Sequence, residues 1–175
     1  VIEGFATAFG GTVPTITFSG DIRSNGNVAG VDAFIRNSGT LTLGENVTLE
    51  GNTLKATGTG AVNDGGAVVV TNGGKLNVRG SVFIENSATG SGGAIYVENG
   101  STLNFESGTI KGNKAFVSGG GILIDNSTAK ITGGTITSNA ANYLGGGLAV
   151  RNGGTLEITG GVEISHNRAT NGGGI

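Results

Sequence analysis

The chain has 175 residues, with 37 glycines, a single proline at Pro14 and no cysteine, methionine or tryptophan, which is about one domain's length. Apolar residues make up 36% and charged residues 13%, so it is too apolar and too sparsely charged for a disordered segment. Its net charge of −2, with Lys and Arg scattered, excludes a basic nucleic-acid footprint. The missing cysteine excludes disulfide scaffolds and thiolate sites, and no apolar run approaches the roughly 20 residues of a membrane span.

Residues 1–14 form an atypical N-terminal segment, and the repeat begins near Thr15. The motif Gly-Gly-Ala-(Ile/Val), or Gly-Gly-Gly-(Ile/Leu), has its third residue at Ala67, Ala94, Gly121, Gly147 and Gly174, in steps of 27, 27, 26 and 27. An apolar residue stands three before Asn at Asn25, Asn52, Asn86, Asn113, Asn139 and Asn167, in steps of 27, 34, 27, 26 and 28. A second series, Asn37, Asn72, Asn99, Asn126 and Asn152, is spaced 35, 27, 27 and 26. The two long steps coincide, which places a loop insertion at Thr53–Asp64. The chain ends by opening another repeat, and it reads as a single-domain fragment (1–175) of a longer protein.

Each period holds three short alternating segments, for example Ile95-Tyr-Val97, Leu103-Asn-Phe105 and Thr109-Ile110. Alternation of period two, bounded by Gly, Asn and Ser, predicts strands and turns. Three strands of constant polarity per 27 residues predict an all-β parallel solenoid of roughly six coils, with coils about 4.8 Å apart. Right-handedness follows the general preference of parallel crossovers. The inward residues predicted for the first strand are Ala33/Ile35, Val68/Val70, Ile95/Val97, Ile122/Ile124 and Leu148/Val150. For the second they are Ile16/Phe18, Leu41/Leu43, Leu76/Val78, Leu103/Phe105, Ala129/Ile131 and Leu156/Ile158. Both asparagine series are expected as buried ladders, in which each amide donates to the next coil and accepts from the last. Asn-Gly at Asn72, Asn99 and Asn152 is also a turn signal.

The pairing of Gly92-Gly-Ala-Ile95 and Gly65-Gly-Ala-Val68 with Phe83-Ile-Glu-Asn86 resembles the repeat of the polymorphic outer membrane protein family of autotransporter adhesins. Other bacterial right-handed parallel β-helix surface proteins carry similar repeats. Glycine stands in the alanine position at Gly121, Gly147 and Gly174, and Ile or Leu replaces Phe elsewhere. The resemblance implies an extracellular or cell-surface module, structural or adhesive, that meets a host-cell or surface protein or glycan, with no cofactor.

Three surface features compete for function. Outward positions before the second asparagine series place Glu98 and Asp125 one coil apart, with Arg151 beyond. Carboxylates about 5 Å apart can act as acid and nucleophile in a retaining glycosidase. On solenoids of this kind the trio also resembles a polysaccharide lyase site, and the bland alternative is a solvated turn. The outward first-strand stripe Phe34, Val69, Tyr96 and Leu123, continued by Ala149, is expected as a binding face unless another part of the chain covers it. A third reading, ice binding, rests on the outward second-strand column Thr17, Thr42, Asn77, Asn104, Lys130 and Glu157, which charge interrupts. The sole histidine, His166, has no catalytic partner in the sequence. No metal site is expected, and an exposed end raises end-to-end self-association.

Overall fold

A computed structural model describes residues 2–4, 15–18, 22–25, 33–54 and 63–175. Among these residues there is no helix, and the strands pair in parallel to form a β-solenoid with coils about 27 residues apart. The first wall has six strands: Ile2–Gly4, Ile35–Asn37, Val68–Val70, Ile95–Val97, Ile122–Asp125 and Leu148–Arg151. The second wall contains the long strands Lys75–Ile84, Thr102–Lys111, Thr128–Thr137 and Thr155–Ser165. A narrow third wall is made by Ser87–Ala88, Lys114–Ala115 and Ala140–Ala141.

The partition of each coil differs from the expected one. Leu103–Phe105 and Thr109–Ile110 belong to one bent strand of 10 residues, with a register irregularity around Phe105 and Ser107. A β-bulge bends a strand without ending its pairing. The third strand is the two-residue step after the ladder asparagine, too short to show alternation in sequence.

Register confirms the second-strand columns, in which Ile158 is a correction: it keeps its place in the file but is 37% exposed. Leu41, Leu76, Leu103, Ala129 and Leu156 stand in one file, and Leu43, Val78, Phe105, Ile131 and Ile158 in the next. Phe83 and Phe105 are fully buried in a continuous core that runs from Ile35 to Leu148. On the first wall the N-terminal alignment is displaced by two residues. Ile35 pairs with Val68, and Asn37 with Val70, while Thr40 pairs with Lys75. The turn after Asn37 is therefore two residues shorter than its counterpart after Val70.

The glycine pair has two separate causes. Gly92 adopts φ +66°, a left-handed conformation that glycine takes without steric cost. A Cβ on Gly93 would lie 2.1 Å from the Gly120 carbonyl oxygen of the next coil. The coils approach so closely there that any side chain clashes with backbone.

One asparagine series forms the buried ladder. The backbone N–H and Nδ2 of Asn86 both donate to Asn113 Oδ1 at 2.9 Å, and those of Asn113 both donate to Asn139 Oδ1 at 2.9 Å. Asn52 donates likewise to Asn86, and Asn139 to Asn167. The remaining Nδ2 hydrogens go to main-chain carbonyls of the coil on the other side: Leu49 for Asn86, Phe83 for Asn113, Ile110 for Asn139 and Ile136 for Asn167. Asn25 is a correction: it pairs with Glu50, two positions short of Asn52, and stands outside this column.

The second series is not a buried ladder. Asn72, Asn99, Asn126 and Asn152 are exposed and hold φ of 53°, 54°, 45° and 53°. At three of them glycine follows, also at positive φ, and an i to i+3 bond closes the turn: Gly74 N–H to Thr71 O, Ser101 N–H to Glu98 O, Gly154 N–H to Arg151 O. Positive φ at both central residues defines a type I′ turn. Here that turn rounds the corner between two walls and closes no hairpin. Asn37 is buried but sits in the Val70 file, and its amide bonds to Gly39 and to the Lys75 carbonyl.

The position before each ladder asparagine is also left-handed: Glu85, Gly112, Ser138 and His166 have φ of 54°, 68°, 57° and 55°. His166 is thus an exposed corner residue. Since a left-handed conformation costs a residue with a Cβ about 1–2 kcal/mol, Ser138→Gly should stabilise the fold by about 1 kcal/mol and Gly112→Ser weaken it by a similar amount, both measured by urea denaturation. Asn113→Ala should cost about 2 kcal/mol by orphaning two donors of Asn86, whereas Asn99→Gly should leave stability within about 0.5 kcal/mol. Equal effects at Asn113 and Asn99 would contradict this assignment of the ladder.

Candidate functional site

The outer face of the first wall holds most of the residues singled out from sequence. Ile95 and Val97 turn inward, so Tyr96 between them turns outward. Yet Val69, Tyr96 and Leu123 are only 2%, 6% and 0% exposed. With Ala33, Leu54 and Ala149 they form a second apolar cluster. The chain returning from the third wall lies over this face, and the first glycine of each motif marks the contact. A Cβ on Gly65 would lie 2.5 Å from Val69 Cγ2, and one on Gly92 would lie 3.0 Å from Tyr96 Cβ.

The expected binding stripe is therefore corrected to interior packing. Phe34 falls outside it altogether: it packs against the main core, and Arg36 occupies the Val69 file. Leu54, at the start of the insertion, plugs the covered face. Residues 55–62 of that insertion lie outside the described part of the structure.

Asp125 and Arg151 do come together. Arg151 Nε donates to Asp125 Oδ2 at 2.8 Å, and Nη2 approaches the same oxygen at 2.7 Å. Tyr96 donates its hydroxyl to Oδ2 at 2.9 Å, and Asn152 Nδ2 donates to Oδ1 at 2.7 Å. Arg151 Nη2 also donates to the Tyr96 oxygen at 3.3 Å. Glu98 is drawn instead toward Arg36, 3.8 Å away. The expected carboxylate pair is replaced by a clamp of Tyr96, Asp125, Arg151 and Asn152 across three coils.

Asp64, at the end of the insertion, adds a charge that sequence reasoning missed. Its carboxylate accepts the Ser91 N–H, and it feels both Arg151 and Asp125. Its only signal in sequence was its place immediately before Gly65, where the chain must lie down on the first wall.

The electrostatics move Tyr96, Asp125 and Arg151 away from neutral-pH proton transfer. Burial alone would raise Asp125, but hydrogen bonds from Arg151, Asn152 and Tyr96 outweigh it and hold the carboxyl below its ordinary value. Burial, then the hydrogen bond to Asp125, pushes the Tyr96 phenol upward. Burial opposes the charge on Arg151, but Asp125 and Tyr96 more than restore it. An efficient general acid or base has a pKa near the working pH, so these shifts disfavour Asp125 as a proton-transfer group at neutral pH. Among the described residues no group of three or more His, Asp or Glu is placed to hold a metal.

The outward second-wall column is in the expected register from Thr17 to Glu157. Its side chains pair along the stack: Asn104 Nδ2 donates to Asn77 Oδ1 at 3.0 Å, and Lys130 meets Glu157 at 2.9 Å. Apart from Ile158, 37% exposed on this wall, the large apolar groups that reach solvent lie elsewhere. Phe116, Tyr143 and Leu144 are 58%, 55% and 52% exposed, on the passage from the third wall to the first. They sit between the ladder asparagine and the glycine motif, where no alternation marked them.

Comparison of the chain with protein-family models, with curated proteins and with solved structures gives no match.

The two aspartates predict opposite acid responses. Asp125, whose carboxyl is lowered in the folded state, stabilises the fold above its unfolded value and loses that contribution as pH falls through the folded one. Asp64 is raised by burial, against the Ser91 N–H and Arg151, so its ionised form weakens the fold until acid protonates it. Asp125→Asn should lower the unfolding free energy by about 1 kcal/mol at neutral pH, a deficit that begins to shrink below about pH 4, the unfolded carboxyl's value, and is gone once pH lies below the lowered folded value. Asp64→Asn keeps the acceptor for Ser91 and should remove the opposing slope. Unfolding midpoints taken across that range check both signs.

Proposed function

We propose that this chain is a structural and adhesive repeat module of an extracellular bacterial surface protein, of the autotransporter-passenger type, that presents its side walls to cells or glycans. One observation carries the reading: the asparagine ladder links successive coils from Asn52 to Asn167 without interruption. In-register walls of hydrogen-bonded strands surround it. Such a stack holds surface groups at fixed intervals over several coils, which suits presentation rather than closure around a substrate. The Gly-Gly-Ala and Phe-x-x-Asn pattern supports the family side of this reading. Among the described residues, no helix is long and apolar enough to cross a membrane.

The polysaccharide-acting alternative needs a second carboxylate working with Asp125, and Glu98 is turned toward Arg36 instead.

Beads coated with the chain should attach to glycan-bearing cells, and antibodies to the chain should label intact producing cells. Failure of both would overturn the adhesive reading. Release of sugar products from a polysaccharide, abolished in Asp125→Ala, would replace it with an enzyme.

A further inference from the structure

Resting on that adhesive reading, we infer that the third wall is a binding face for an acidic polysaccharide, with Lys114, Arg168 and Phe116 as its principal contacts. The wall is narrow, but its register lays the outward side chains on a grid. Lys114 pairs with Ser87 on one side and Ala140 on the other, and Ala140 bridges to Arg168. The file is therefore Ser87, Lys114, Ala140, Arg168. Two residues further on, just past these two-residue strands and beyond the buried Ala88, Ala115 and Ala141, stand Thr89, Phe116 and Asn142, with Thr170 in the next coil. Successive coils are about 4.8 Å apart.

Lys114 and Arg168 are thus two coils, or about 10 Å, apart, with only the methyl of Ala140 between them. Open ground lies on either side. A groove of ≈ 590 Å³ runs past Ser87, Lys114 and Ser138, and another of ≈ 250 Å³ past Asn142, Arg168 and Thr170.

Most charge on the neighbouring walls is paired. Arg36, Arg79, Lys130 and Arg151, on the first and second walls, each face a carboxylate, Glu98, Glu106, Glu157 and Asp125 respectively, whereas Lys75 and Lys111 of the second wall make no ion pair among the described residues. Among the described residues, neither Lys114 nor Arg168 makes an ion pair. Glu85 borders the Lys114 groove but forms no salt bridge with it. In a chain of net charge −2, this wall keeps its positive charge unneutralised at two regularly spaced points.

The chemistry next to those charges selects among polyanions. Phe116 stands two residues after Lys114 and is 58% exposed, with Tyr143 in the next coil at 55%. An exposed ring offers a flat apolar face with a polar edge, suited to the C–H face of a pyranose. The exposed side chains of Asn142 and Thr170 supply polar atoms for sugar hydroxyls. A repeating sugar acid matches all three features: anionic groups for the two cations, ring faces for the aromatics and hydroxyls for the amide file. Carboxylate and sulfate share this chemistry.

The test uses the whole chain and four immobilised polymers: polygalacturonate for carboxylate, heparin for sulfate, neutral dextran, and double-stranded DNA as a phosphate polyanion. Retention on polygalacturonate or heparin, weakened by salt, is expected, and the stronger of the two names the anionic group. The double variant Lys114→Gln with Arg168→Gln should weaken binding on the order of tenfold, and Phe116→Ala should weaken it several-fold. The ion-paired control Lys130→Gln should leave it unchanged. All of these positions are exposed, so equal unfolding midpoints confirm that each variant is folded.

Unchanged binding in the double variant, no retention on either acidic polysaccharide, or equal retention on DNA or dextran would overturn the inference. Bead attachment to cells that survives the double variant and excess soluble acidic polysaccharide would also overturn it, while leaving the adhesive reading intact. Loss of all cell attachment, with selective polysaccharide retention preserved, would defeat the adhesive reading and leave the binding face standing.

Discussion

Coils stacked at the spacing of paired strands leave no room for water between them, so a polar atom buried on the axis must find its partner in the coil above or below. The asparagine ladder solves this with one side chain per coil. Each Oδ1 from Asn86 to Asn167 takes two hydrogen bonds from the preceding coil, one from backbone and one from side chain. Each amide thereby satisfies a main-chain N–H at the corner after the second wall, where strand pairing is interrupted. The left-handed residue before every ladder asparagine belongs to the same corner. The backbone turns sharply there, and the asparagine occupies the inside of the turn.

Much of this was legible because the repeat forces like residues into register. The second-strand columns and the ladder from Asn52 to Asn167 follow directly from the period. The displacements of Asn37 and Phe34 share one cause: equal spacing between asparagines means equal register between strands only where turns have equal length. Asn37 and Asn72 are 35 residues apart, but the strand at Ile35 pairs 33 residues on and the strand at Thr40 pairs 35 on. The two-residue difference is absorbed in the turn, and it moves Asn37 and Phe34 out of their expected files. The alternative signal was present: Asn followed by Gly at residues 72, 99 and 152 is turn chemistry, and it describes those positions better than a buried ladder does.

The outward stripe was misjudged for a different reason. Alternation says which way Tyr96 points, not whether chain from elsewhere lies on top of it. Hydrophobicity at Val69, Tyr96 and Leu123 was itself the clue, because a solvent-facing file would have carried polar groups like those of the second wall. The first glycine of each motif is the complementary half, since only a bare backbone can lie so close to that face. The clamp at Asp125 was half visible. Stacking brought Asp125 to Arg151, but Tyr96, assigned to a separate stripe, supplied the bond that completes it.

The ladder also has a direction. From Asn52 to Asn139 each amide gives one side-chain hydrogen to the ladder oxygen of the higher-numbered coil and receives nothing back from that amide. Every ladder amide is therefore oriented the same way along the stack, and a coil contacts mainly its two neighbours. Duplication or deletion of one whole period rejoins donor to acceptor and leaves every buried amide satisfied. A change of a few residues inside the inner corner breaks the column, whereas the same change in a turn or between walls is absorbed, as the 34-residue step from Asn52 to Asn86 demonstrates. Length in such an architecture grows in whole coils, each contributing a similar increment of stability, so the gene is free to vary the reach of the protein without redesigning its interior.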